Sequence, residues 1–208
     1  MTNIITPAGY LSFCNFFKAK PKNAQDPSST LVYQTNLIIP KSQIEKPEYK
    51  AMLATISDVA ENEFGKEWAK KINGNTGIKP GSAKDYEGYD DDCVFLRAWT
   101  SRQPSVVNMQ KEPVSEENVW AGQVARLSLK CFAYNNPTRK GVSFLLNSVQ
   151  IIVADKKRLD GQQTVEAAFE SAVDADSISS EMGGTATTAD AAAAGISNDP
   201  TDDLFAQV

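Results

Sequence analysis

Apolar residues along this chain follow two periods. Residues 9–20, which include Tyr10, Phe13, Phe16, Phe17, Lys18 and Lys20, and residues 30–39 are rich in aromatic and β-branched side chains. They predict two strands separated by a Pro/Asn/Asp/Ser loop. Between Glu48 and Ile72 the period lengthens: Tyr49, Met52, Leu53, Ile56, Val59, Ala60, Phe64, Trp68 and Ile72 recur at three and four. With Pro47 near the start and Asn73-Gly74 at the stop, this predicts one long amphipathic helix whose only weak point is Gly65. Residues 73–92 have no period and read as a mobile loop. Four more strands are expected at 93–101, 104–110, 123–134 and 142–154, the last two joined by the turn Asn135 to Gly141.

Strands in this number, one helix between the early and late ones, and no internal repeat point to a mainly β fold, a small antiparallel barrel with an open Greek-key sandwich as the alternative. A parallel α/β sheet does not suit a chain in which helices fail to alternate with strands. Residues 1–160 are expected to form that domain. Residues 161–208 are expected to form a flexible acidic tail, with a short helix at 162–173 and disorder beyond Asp174, where Ser, Ala, Thr, Gly and Asp offer little to bury.

Reading every second residue of a strand separates its faces. In 123–134, Ala125, Leu127, Leu129, Cys131 and Ala133 form a small apolar core face. The opposite face carries Val124, Arg126, Ser128, Lys130, Phe132 and Tyr134. In 93–101, Val94, Leu96, Ala98 and Thr100 oppose Cys93, Phe95, Arg97, Trp99 and Ser101. Aromatics interleaved with cations, twice, suit single-stranded nucleic acid: bases stack on rings while phosphates pair with Arg and Lys. Arg102, Arg139 and Lys140 on loops, with Lys18, Lys20 and Lys22 after the first strand, are placed to track a backbone. The competing role for these rings is packing, under the helix or at a homodimer contact, although interleaved cations resist burial. Lys66, Lys70 and Lys71 sit near Glu63 and Glu67, so ordinary helix pairing is the expectation for them.

Charge sharpens the picture. Of 208 residues, 21 are Lys or Arg and 26 Asp or Glu, for a net charge of -5. All the basic residues precede residue 159, which leaves the first part at +5 and the remainder at -10. The body has the sign that attracts phosphates, and the tail is a tethered competitor for the same surface. Its stretch Asp202-Asp203-Leu204-Phe205 suits docking on a basic-rimmed pocket of a partner.

Other chemistry is scarce. The chain has no histidine, which removes His-based triads, His-ligated metals and imidazole acid/base catalysis. Cys14, Cys93 and Cys131 contain no C-x-x-C pair and read as reduced core residues of a cytosolic protein. Asp90-Asp91-Asp92 lacks the spacing of a metal loop, so a Mg²⁺-dependent nuclease is a remote rival and no metal or other cofactor is expected. No run approaches a membrane span and no phosphate-cradling glycine motif occurs.

The segments Cys93-Val94-Phe95-Leu96-Arg97-Ala98-Trp99, Trp120-Ala121-Gly122, Cys131-Phe132-Ala133-Tyr134 and Lys140-Gly141-Val142-Ser143-Phe144-Leu145-Leu146-Asn147-Ser148-Val149-Gln150 resemble the phage single-stranded DNA-binding protein family, formerly a domain of unknown function. The resemblance covers roughly residues 5–160. It implies one OB-fold with a flexible acidic C-terminal tail, and sequence-tolerant, non-catalytic binding of single-stranded DNA during replication, recombination or repair. It also implies that the tail recruits replication or recombination proteins. The tail resembles those of replication-type single-strand binders, which end in an aromatic residue, whereas here Phe205 is followed by Ala206, Gln207 and Val208. The other class consistent with the residues is a phage structural or protein-interaction module that uses the same aromatic face as an interface.

Overall fold

The computed structural model describes residues 2–154 with Arg158 and Leu159; the short helix expected at 162–173 and the acidic tail lie outside the described residues. The strands are β1 (Thr2–Ile5), β2 (Gly9–Pro21), β3 (Leu31–Pro40), β4 (Ile78–Pro80), β5 (Cys93–Thr100), β6 (Ser105–Val107), β7 (Val124–Asn135) and β8 (Lys140–Val153). The helices are α1 (Lys41–Ile44), α2 (Pro47–Phe64) and α3 (Trp68–Ile72).

Five strands close into a ring. β7 pairs with β2, β2 with β3, β3 with β5, β5 with β8, and β8 returns to β7. The expected barrel is therefore present, and it is OB-fold-like. It is not wholly antiparallel: β5 and β8 run parallel where Ala98 faces Phe144 and Trp99 faces Leu145. A meander would leave these strands apart; the crossover through β6 and β7 brings β8 back beside β5 and removes two open edges. β1, β4 and β6 extend the ring on β7, β5 and β8.

Inside lie Leu11, Phe16, Leu37, Ile39, Leu96, Ala98, Leu127, Leu129, Cys131, Phe144, Leu146 and Val149, each 2 % exposed or less. Each large side chain there contributes about 1.5–3 kcal/mol of transfer free energy, so this interior dominates stability. The α2 residues Tyr49, Met52, Ile56, Val59, Ala60 and Phe64 belong to the same cluster, and α2 packs on β1, β7 and β8. All three cysteines are free thiols; burial pushes Cys131 up to about 11, while Cys14 is only half-buried.

Four expectations change. The long helix is broken at Gly65, which has φ +79 and receives the end of α2 before α3 begins. The four residues of β1 are too short to show alternation, and no strand was expected there. Residues 73–92 are a structured strap rather than a loop without order. They contain β4 and a short 3-10 turn, Gly81–Ala83, and they lay Tyr89 on Phe95 with centroids 5.1 Å apart. The expected strand at 104–110 is reduced to Ser105–Val107.

Candidate nucleic-acid interface

A groove of about 1100 Å³ opens on the outer face of the barrel where β5, β8 and the end of β7 lie side by side. Trp99, Phe132 and Tyr134 supply its aromatic surface, and Lys22, Lys71, Lys79, Arg97, Arg139 and Lys140 supply positive charge. Among the described residues its lining contains no carboxylate. Strand alternation explains the floor: Arg97 and Trp99, like Phe132 and Tyr134, are two apart and point away from the core residues Leu96, Ala98 and Cys131.

One wall is organised by Arg97. Its Nη2 donates to the Lys22 carbonyl at 2.8 Å and to the Gln34 side-chain oxygen. The carbonyl is thereby held beside β5, and Lys22 Nζ stands 3.6 Å from the centroid of the Trp99 ring. This cation–π contact leaves the ammonium at the groove rim. Burial, followed by repulsion from Arg97, holds the Lys22 ammonium below the usual lysine range. Burial also lowers Arg97.

The opposite wall joins two distant segments. The Asn75 side-chain nitrogen donates to the Tyr134 hydroxyl and, at 3.0 Å, to the Lys140 carbonyl, while Val142 N–H donates to the Asn75 carbonyl at 3.0 Å. So close an approach excludes a side chain at position 141, where a Cβ would stand 2.7 Å from the Asn75 carbonyl oxygen. Gly77 turns with φ +82, and a Cβ there would meet the Phe144 ring at 2.6 Å. The strap is thus fastened across the tip of the β7–β8 hairpin, which carries Arg139 and Lys140.

The sequence-predicted residues divide. Arg97, Trp99, Phe132, Tyr134, Arg139 and Lys140 come together in the groove. Phe95 does not present its ring to solvent: it is 4 % exposed, covered by Tyr89 of the strap. It keeps its outward register but acts as a support. Arg126 donates from Nε to Gln150 at 2.7 Å and lines a separate small hollow beside Ile5 and Val107. Lys130 pairs in register with Asn3 of β1 and Leu145 of β8 and is outside the groove lining. β7 is long enough to cross the barrel, so only its last outward residues reach the groove. Lys18 is exposed and ion-paired to Glu116 at 3.5 Å, and neither it nor Lys20 lines the groove. Phe16 is core.

Sequence reasoning did not single out Lys79 or Asn75, which come from the strap, and it gave Lys71 to helix pairing. Lys70, not Lys71, pairs with Glu67, at 3.4 Å; Lys71 Nζ donates to the Phe64 carbonyl at the end of α2 and faces the groove. The signal was the glycine-and-lysine content of 71–81, which lacks periodicity but carries turn residues on both sides of Lys79.

A family model described as the ssDNA-binding protein of Enterobacter phage Enc34 matches residues 2–179. The chain belongs to the Enc34 single-stranded DNA-binding protein family. Solved structures agree in fold. The single-stranded DNA-binding protein from bacteriophage Enc34 in complex with ssDNA is 21 % identical, with 75 % of this chain and 88 % of that one covered at a TM-score of 0.61. A second structure of the single-stranded DNA-binding protein from bacteriophage Enc34 is 19 % identical, with 80 % of this chain and 89 % of that one covered at a TM-score of 0.59. The crystal structure of gp2.5, a single-stranded DNA-binding protein encoded by bacteriophage T7, is 16 % identical, covering 79 % and 98 % at 0.53. No curated protein sequence matches.

In this member of the Enc34 family, rings and cations share one open groove whose lining, among the described residues, holds no carboxylate. Such a surface favours a flat, polyanionic ligand. Asp90, Asp91 and Asp92 lie on the strap, where Asp92 pairs with Lys41 at 3.4 Å. Among the described residues no three His, Cys, Asp or Glu side chains gather as metal ligands.

Proposed function

We propose that this chain binds single-stranded DNA without catalysis and with little sequence preference, in the replication, recombination or repair of phage DNA. The observation that carries the reading is the groove, free of carboxylates among the described residues, in which Trp99, Phe132 and Tyr134 lie among Lys22, Lys79, Arg97, Arg139 and Lys140. Bases stack on the rings, each stack contributing about 1–3 kcal/mol whatever the base, and phosphates relieve the repulsion among the cations. A duplex keeps its base faces stacked inside and gains only the electrostatic part. Membership of a family described as ssDNA-binding supports the same conclusion.

The acidic residues after Leu159 extend the proposal. With -10 of charge against a basic body, they compete for the groove and leave it when DNA binds, which frees the Asp202-Asp203-Leu204-Phe205 stretch for replication or recombination proteins. Domain limits of 1–160 and 161–208 belong to this reading. Titrating the three tryptophans' fluorescence with oligo-dT and with duplex, at several salt concentrations, tests it. Strong, salt-dependent quenching by oligo-dT alone is the expected result, and equal response to duplex overturns it.

A further inference from the structure

The strap carries a second aromatic surface. Four rings follow one another edge to face, from exposed to buried: Phe13 and Tyr86 at 5.5 Å, Tyr86 and Tyr89 at 6.3 Å, Tyr89 and Phe95 at 5.1 Å. Lys84 Nζ sits among all of them, 4.6 Å from the Phe13 centroid, 5.7 Å from Tyr86, 5.2 Å from Tyr89 and 5.1 Å from Phe95. The inner pair is fixed. Tyr89 and Phe95 are buried, and the Tyr89 hydroxyl accepts a hydrogen bond from the buried Asn36 amide at 2.8 Å. The outer pair is open, Phe13 at 42 % and Tyr86 at 59 % exposure.

Two features separate this patch from ordinary surface aromatics. Phe13 occupies the left-handed region, φ +56, at a register shift in β2 between Ser12 and Asn15. A bulky residue rarely adopts that conformation, and bulges of this kind re-aim a side chain. Here the bulge aims a ring outward beside Tyr86. The patch also adjoins the groove electrically. Lys79 and Arg97, both groove residues, repel Lys84, whose ammonium is already disfavoured by burial. Lys79 faces Phe95 in the β4–β5 register, and Arg97 is the next outward residue of β5 after Phe95.

We propose that single-stranded DNA leaving the groove past Arg97 and Lys79 continues over Phe13 and Tyr86, which stack further bases above Lys84. This rests on the DNA-binding reading of the groove and adds a second platform to it. The ligand class follows from the chemistry: open ring faces and edges for bases, and a crowd of three cations for the intervening phosphates.

The test is a length series of oligo-dT titrated against the full chain and its Tyr86→Ala, Tyr86→Phe and Phe13→Ala variants. The expected result is equal affinity of all four proteins for the shortest oligonucleotides that bind. Beyond a threshold length the wild-type chain and Tyr86→Phe gain affinity, whereas the two alanine variants fall behind by about 5- to 150-fold per lost stack. Alanine variants that follow the wild type at every length overturn the proposal, as does a loss already complete on the shortest oligonucleotide. Failure of the wild-type chain to bind any oligo-dT is a different result: it overturns the groove reading and the second platform with it.

Discussion

Lys22 Nζ lies 3.6 Å from the centre of the Trp99 ring, and the same residue's carbonyl accepts from Arg97 at 2.8 Å. A lysine at the end of β2 is therefore tied by both ends to one face of β5. On the proposed reading, a base that stacks on Trp99 takes the ring face from the Lys22 ammonium and offers that ammonium its own phosphate. Trp99→Ala is expected to lose about 1–3 kcal/mol of single-strand affinity, read by titration with fluorescent oligo-dT. A folded variant that binds as tightly as the wild type contradicts a stacking role.

Arg97→Lys separates positioning from charge. Lysine keeps the positive charge but not the planar fork that reaches the Lys22 carbonyl and Gln34 together. Affinity is expected to fall although net charge is unchanged, and the salt slope to stay nearly the same. An unaltered binding curve contradicts the tie.

The hairpin tip makes the electrostatic prediction. If Arg139 and Lys140 each pair with a phosphate, the double variant Arg139→Gln/Lys140→Gln should lower the slope of log K against log salt by about 0.7 per contact. Its loss of affinity should be the same on oligo-dT and on mixed sequence, which distinguishes phosphate contacts from base recognition.

Lys84 illustrates a cost of such a surface. Burial first, then Arg97 and Lys79, hold its ammonium below the ordinary lysine value. The unfolded chain keeps that proton to higher pH, so the charged group subtracts stability at neutral pH. The deficit is relieved as pH rises through the folded value toward 10.5. Lys84→Met is expected to raise the Tm at neutral pH and to flatten the rise with pH. A lowered Tm contradicts this account. DNA affinity should move oppositely, since phosphates favour the charged lysines and alkaline pH removes them.

Removal of residues 174–208 should tighten oligo-dT binding at low salt and weaken discrimination against other polyanions, because those residues carry negative charge and none of the positive. Unchanged affinity at low salt contradicts competition by the tail.

How much of this was readable in advance differs by element. β7 alternates without a break and β5 does so over Leu96, Arg97, Ala98 and Trp99, so the floor residues Arg97, Trp99, Phe132 and Tyr134 were legible together with their core-facing neighbours. Alternation assigns a face but not a place along it, so Arg126 and Lys130 were read as partners of Phe132 although they lie farther back along β7, outside the groove lining. Phe95 was misread for a different reason: a strand pattern does not reveal that a separate segment covers its outer face. That segment, 73–92, is built from isolated contacts such as Asn75 to Lys140 and Tyr89 to Phe95, which involve partners more than any repeating spacing. The same segment supplies Lys79 to the groove and Tyr86 and Lys84 beside it.

On the proposed reading, the open side of the groove governs how a strand gets in. A roofed tunnel must be threaded from an end, whereas a trough bordered by Asn75 on one bank and Lys22 on the other accepts a chain sideways, at any point along it. Circular molecules without termini should consequently be coated as fast as linear ones of equal length.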